Sequence, residues 1–287
     1  MQRGVDGMKA IRMRSIDVTT PDGLAISAAE WGNPAGAEIV FIHGFSQCSL
    51  AWTRQLADPD LVGEFRMIAY DLRGHGASDK PVEKDKYFPD RAWADELAAV
   101  TAAASLQRPV LVGWSYAGRV ISDYLRLHGS DRLAGLNFVA AVTRSGGDLL
   151  GPGIKDNVSG LLSGDLAVNI AATRAFVRAC FSVPPGAEDV ETMLAFNMSI
   201  PAAVRALVLD RPPNPGDVLE SLTLPVLITQ GTHDRIVLPA MAQFTASAVP
   251  HAQLSLYDGI GHCPFAEDAP RFNRELAAFV RAANRRT

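Results

Sequence analysis

Three residue types that fall just past apolar runs could together make a nucleophile: Ser115 after "PVLVG" (109–113), Asp234 after "PVLITQ" (225–230) and His262 after "LSLY" (254–257). A serine hydroxyl is a weak nucleophile until a base takes its proton, and the base needs a third group to hold its tautomer and balance its charge. Ser115, His262 and Asp234 have the right types for nucleophile, base and acid. Ser115 stands in "LVGWSYAGRV", where an apolar run gives way to a serine fenced by Gly113, Ala117 and Gly118. The run reads as a strand buried on both faces, and "RVISDYLRL" beyond it repeats apolar positions at helical spacing. The serine therefore sits on a corner, where small neighbours let backbone pass close to backbone. A helix N-cap is the plainer reading of such a serine, but a cap does not call for small residues on both sides.

Each role has rivals. Of six histidines, His43 and His75 lie in glycine loops that they are placed to brace, and His128 ends a helix whose dipole it complements. His251 precedes its strand and so falls at the wrong edge of the sheet; His233 is the serious competitor, but choosing it leaves the "GIGH" loop around Gly259 and Gly261 without a purpose. That glycine loop is expected to let His262 swing between Ser115 and the leaving group. Among carboxylates, Asp148 follows the preceding strand at a greater distance, and Asp71 and Asp79 lie in "DLRGHGASD". Asp71 is expected to pair with an arginine or to cap loop amides.

The elements that must position these groups follow from patterning. Ile16 and Val18, then Leu24, Ile26 and Ala28, alternate around "TTPDG" and predict an antiparallel hairpin. Short unalternating runs follow at 39–42, 67–70, 109–113, 136–141, 225–230 and 254–257, most of them separated by helical stretches such as "RAWADELAAVTAAASL". Strands alternating with helices make a parallel sheet covered on both faces, here of about eight strands, six of them parallel. The interval from Thr143 to Glu220 is too long for a simple loop. It predicts a helical cap inserted over the sheet edge, so the chain divides into a core of 1–142 and 221–287 and a cap of 143–220. Phe176, Phe181, Met193 and Phe196 are candidates either for a pocket wall or for the cap's own core.

In an open parallel sheet, ligands bind beyond the carboxyl ends of the strands, and "HGF" (43–45), Ser115, Asp234 and His262 all arrive there. In its "HGF", "DLRGHGASD" and "GWSYAG" motifs and its Ser, acid, His order, the chain resembles the α/β-hydrolase fold family over Ile16 to Val280. Within it, the combination most resembles small esterases, lactonases and cofactor-free haloperoxidase-like perhydrolases. The resemblance implies an oxyanion hole made by the backbone N–H groups of Phe45 and Tyr116, and it implies no metal or organic cofactor. Two departures stand out: Ala117 is the fifth residue of the G-x-S-x-G pattern, and Ser46 stands where many perhydrolase-like members carry proline.

The leading expectation is a serine hydrolase that cleaves a small-molecule carboxylic ester or lactone through an acyl-enzyme. Peroxide in place of water, carbon–carbon hydrolysis and hydroxynitrile cleavage use the same triad, and a ligand receptor that kept the fold is a reading of a different class. Composition narrows the partners. With 48% hydrophobic and 20% charged residues and a net charge of −4, there is no electrostatic call for nucleic acid or an acidic membrane. Arg3, Lys9, Arg12 and Arg14 are too dispersed for a basic patch, and Arg281, Arg285 and Arg286 suit the negative end of a closing helix. No run approaches the ~20 apolar residues of a membrane span, and the opening residues lack a signal peptide's apolar centre, so the expected location is the cytoplasm. Cys48, Cys180 and Cys263 are widely spaced in sequence and read as free thiols. Oligomeric state is not encoded in these patterns.

Overall fold

A computed structural model describes residues 13–285, so the expectations for Arg3, Lys9, Arg12 and Arg286 and for the opening segment lie outside the described residues. β1 (Arg14–Thr19) and β2 (Ala25–Gly32) form the hairpin. β3 (Glu38–Ile42) leads through α1 (Thr53–Leu56) and α2 (Pro59–Glu64) to β4 (Arg66–Tyr70), and α3 (Asp90–Ala103) leads to β5 (Val110–Trp114). Next come α4 (Ala117–His128) and β6 (Gly135–Val139), then α5 (Pro152–Lys155), α6 (Val158–Leu161), α7 (Leu166–Ala179), α8 (Ala187–Met198) and α9 (Ala202–Leu209). β7 (Val226–Gly231), α10 (Pro239–Ala248), β8 (Gln253–Tyr257), α11 (Pro264–Glu267) and α12 (Ala269–Asn284) complete the chain.

The eight strands form one sheet in the order β1-β2-β4-β3-β5-β6-β7-β8, antiparallel at β1/β2 and β2/β4 and parallel from β4 to β8. The burial patterns explain the patterning. β1 and β2 alternate because one face of the hairpin meets solvent, whereas β5, β6 and β7 are buried at every residue under helices on both sides. β8 departs from the expectation of a fully covered strand: it is the sheet edge, and Leu254 and Leu256 stay 39% and 44% exposed. At the helix ends, Asp58 and Asp165 each accept two backbone N–H groups in the first turns of α2 and α7, as capping aspartates do. Arg14 pairs with Glu30 and Arg281 with Glu64. Among the described residues no single helix is long and apolar enough to cross a membrane.

The segment between β6 and β7 is held from inside by Arg205, a fully buried arginine that has no carboxylate partner among the described residues. Its guanidinium donates to the Leu161 and Asn197 carbonyls, to Asn169 Oδ1 and to Thr173 Oγ1, gathering α6, α7 and α8 around α9. Burial lowers its pKa to about 10, which still leaves it charged near neutrality. The two ends of the segment are tied together where Ser145 N–H donates to the Asn214 carbonyl and Asn214 N–H donates to Ser145 Oγ.

Candidate active site

Ser115 turns the chain from β5 into α4 with φ +57°, in the left-handed region that costs a non-glycine residue on the order of 1–3 kcal/mol. The small neighbours are needed for contact reasons: a Cβ on Gly118 would lie 2.6 Å from the Val142 carbonyl oxygen, and one on Gly113 would lie 2.5 Å from Ile121 Cδ1. The loop after β3 comes equally close, since a Cβ on Gly44 would sit 3.0 Å from Ser115 Cβ. That contact brings Phe45 to the serine. Among the described residues neither the Phe45 nor the Tyr116 backbone N–H donates to a protein acceptor.

On the other side, His262 Nδ1 lies 2.7 Å from Asp234 Oδ2, with both side chains buried. Asp234 Oδ1 accepts the Ile236 and Val237 N–H groups at 2.8 and 3.0 Å, which fixes the carboxylate plane. His262 is pinned by its own backbone: its N–H donates to the Cys180 carbonyl at 2.8 Å, and its carbonyl accepts from Trp114 Nε1 at 2.9 Å. The Trp114 and His262 rings pack at 5.4 Å, which sets the histidine beside the residue preceding Ser115. No hydrogen bond joins Ser115 Oγ to His262 in this structure.

The rival residues are engaged elsewhere. His43 Nε2 accepts Leu72 N–H and His75 Nε2 accepts Ser46 N–H, so both brace the loops that carry Phe45. Burial holds both imidazoles below their ordinary pKa, His75 down at about 3 with His43 adding to the effect. Asp71 caps loop amides, accepting from Ser49 and Ala77 N–H. Asp79 accepts Ala25 N–H at 2.7 Å. Asp148 is 71% exposed and faces Arg144 at 3.5 Å. His128 reaches Asp95, His251 the Leu224 carbonyl, and His233 is exposed.

Several supporting residues escape sequence reasoning because their partners are distant in the chain. Glu267 accepts Gly261 N–H with one oxygen and both the N–H and Oγ of Ser182 with the other, stitching the His262 loop to the turn after α7. Arg211 donates to the Tyr116 hydroxyl at 2.9 Å, pairs with Asp123 and stacks over Trp93 at 4.6 Å, tying the end of the segment between β6 and β7 to the serine corner. Gln230 donates to Asp234 Oδ2 at 2.9 Å. Its only sequence signal is a polar residue closing the apolar run of β7.

A cavity of about 510 Å³ opens between the segment joining β6 to β7 and the rest of the chain. Trp114 and Cys263, the neighbours of Ser115 and His262, reach it, as do Phe181, Met193 and Phe196 from the segment between β6 and β7, whereas Ser115 and His262 themselves do not line it. Phe176, the fourth candidate, instead packs edge-on against Phe45 at 6.3 Å. Arg54 and Asp189, both among its lining residues, form a 3.5 Å ion pair that joins α1 to α8.

The sheet order, the serine corner and the strand-end groups are those of one large class of enzymes, and comparison with known proteins agrees. Residues 39–275 match the alpha/beta hydrolase family. The chain belongs to that family. It is 30% identical over 275 residues to the non-heme chloroperoxidase CPO-A1 of Kitasatospora aureofaciens, covering 91% of this chain and 98% of that one. The esterase RhEst1 of Rhodococcus sp. ECU1013 superposes with a TM-score of 0.88 at 35% identity, over 94% of this chain and 99% of the other. A Burkholderia cenocepacia crystal structure provisionally named as an aryl esterase gives 0.90 at 36% identity, over 95% and 100%.

Proposed function

We propose that the protein is a serine hydrolase that cleaves a carboxylic ester or lactone through an acyl-enzyme, with Ser115 as nucleophile, His262 as base and Asp234 as acid. The observation that carries the reading is the buried 2.7 Å His262–Asp234 contact set beside a strained serine corner. Ser115 Oγ attacks the carbonyl carbon while its proton passes to His262 Nε2, and the oxyanion is met by the unengaged N–H groups of Phe45 and Tyr116. The imidazolium then returns the proton to the leaving alkoxide. Water, deprotonated by the same nitrogen, attacks the acyl carbon and frees Ser115 and the acid. Ser115 Oγ need not bond His262 beforehand, because catalytic hydrogen bonds of this kind often tighten only in the complex with substrate. The insertion serves as a cap, and the cavity behind Trp114 and Cys263 takes the larger apolar part of the substrate.

Perhydrolysis is the second reading, because one relative, 28% identical over 283 residues, is a bifunctional esterase/perhydrolase of Acinetobacter calcoaceticus. Ser46 weighs against it as the main activity: its φ of +61° is closed to proline, whose ring fixes φ near −65°. The deciding experiment combines a fluorophosphonate probe with turnover of p-nitrophenyl esters, with and without peroxide. Labelling of Ser115 alone and saturable hydrolysis are expected; labelling elsewhere removes the mechanism.

A further inference from the structure

We infer that Gln230 is a positioning residue that holds the Asp234 carboxylate for His262 and sets how readily the imidazolium gives up its proton. The inference rests on the catalytic reading above. Gln230 ends β7 with only 1% of its surface exposed. Its Nε2 lies 2.9 Å from Asp234 Oδ2, the same oxygen that His262 Nδ1 approaches at 2.7 Å. The other atoms around Nε2 are the carbonyl oxygens of Gly231 at 3.1 Å and Val237 at 3.3 Å. All three neighbours accept hydrogen bonds and none donates, so only the NH₂ end of the amide fits there and the side chain cannot be flipped.

The consequence is a carboxylate clamped on both oxygens. Backbone N–H groups hold Oδ1, and without Gln230 the imidazole alone would hold Oδ2. Sharing Oδ2 between two donors also weakens its pull on the imidazole proton, because each donor takes part of the negative charge. Gln230 touches no reacting atom and no proton passes through it; it acts through Asp234. The other ionisable groups around the pair are Cys263 beside His262, Cys180 at the end of α7, Glu267 in α11, and the exposed His233 and Arg235 in the Asp234 loop. Burial, with the neighbouring Cys180 thiol, holds the Cys263 thiol well above its ordinary pKa, and three donors already engage Glu267.

The test is kinetic. Gln230→Met keeps the bulk and removes the donor. It is expected to lower kcat on the order of tenfold with KM nearly unchanged, as loss of one hydrogen bond to a charged group would. The acid limb of the pH–rate profile should move to higher pH by about half a unit to one unit. In a double-mutant cycle with Asp234→Asn, the Gln230→Met loss should nearly vanish, because its target is gone; losses that multiply would assign Gln230 a merely structural role and overturn the inference. Should Gln230→Met not fold, Gln230→Leu serves, since it too removes the donor to Asp234 while keeping an apolar side chain, and the limb should move the same way. An unmoved limb in the folded variant overturns the inference. The catalytic reading stands or falls separately, on whether Asp234→Asn alone lowers kcat on the order of 10⁴-fold.

Discussion

The two halves of the candidate site are built differently. Around His262 and Asp234 almost every polar group is committed: four donors meet one carboxylate, and the histidine backbone is tied to both Cys180 and Trp114. Around Ser115 the geometry is equally constrained, by φ +57° and glycine contacts, yet the groups proposed to meet the substrate are left free. Among the described residues the Phe45 and Tyr116 N–H groups find no protein acceptor, and Ser115 Oγ does not bond His262. The difference teaches a division of labour. Groups that keep one partner throughout a reaction can be locked in advance, whereas groups that meet the substrate must stay unpaired until it arrives.

The largest expected effect breaks the free half. Ser115→Ala should lower kcat for a p-nitrophenyl ester on the order of 10⁶-fold, with little change in melting temperature, because alanine inherits the same backbone strain and loses one small polar atom. Substantial activity in that variant would mean the free groups serve another nucleophile. Next, Asp234→Asn breaks the locked half by changing the tautomer that Nδ1 can present, for an expected loss on the order of 10⁴ in kcat. Asp148→Asn, on an exposed residue paired only with Arg144, should change kcat by less than about twofold, as exposed ion pairs contribute little. A reversal of those two losses would move the acid to the earlier strand.

A smaller effect asks how firmly the locked half is seated. Patterning suggests that the glycines at 259 and 261 let His262 swing, but the structure gives Gly261 a different task. A Cβ there would lie 2.6 Å from the Ser182 nitrogen, so the residue permits the His262 loop to lie against the turn after α7. Gly261→Val should push the two apart and lower kcat roughly 10²-fold, the scale of an ångström's misplacement, with KM changed much less. An unchanged kcat would show that this contact does not set the position of the base.

What the sequence makes legible follows the same line. Alternation and apolar runs report burial, so the strands could be placed to within two residues, and strand ends located the polar groups of the sheet edge. Patterning says nothing about which buried group meets which. Gln230 and Asp234 are four residues apart but pair through side chains, and Cys180 meets the His262 loop across more than eighty residues of intervening chain. The phenylalanines around the end of α7 show the limit most directly: Phe176 and Phe181 are alike in sequence, yet one packs on Phe45 and the other lines the cavity. β8 misled because an edge strand carrying leucines reads like a covered one.

The smallest effect concerns the frame beneath the free half. His43 and His75 each accept a backbone N–H at Nε2 and face a backbone carbonyl through Nδ1, so both are held as the neutral Nδ1–H tautomer. Protonation would place a donor against a donor in a buried site. His75 is accordingly depressed to about 3, by burial first and by its neighbour His43 second, and His43 shifts in the same direction, by burial first. In the unfolded chain both titrate near pH ~6.5. Between that value and about 3, the unfolded state binds protons that the folded state refuses, so stability is complete above pH ~6.5 and falls as the pH drops. One such histidine contributes a slope of about 1.4 kcal/mol per pH unit within the window. His75→Gln offers a neutral acceptor and donor of similar reach without a proton to take up. Urea unfolding of this variant between pH 6 and 4 should therefore show a pH dependence shallower by about that slope. An unchanged slope would mean that His75 accepts a proton in the folded protein, and that the loop presenting Phe45 is less rigidly framed than its hydrogen bonds indicate.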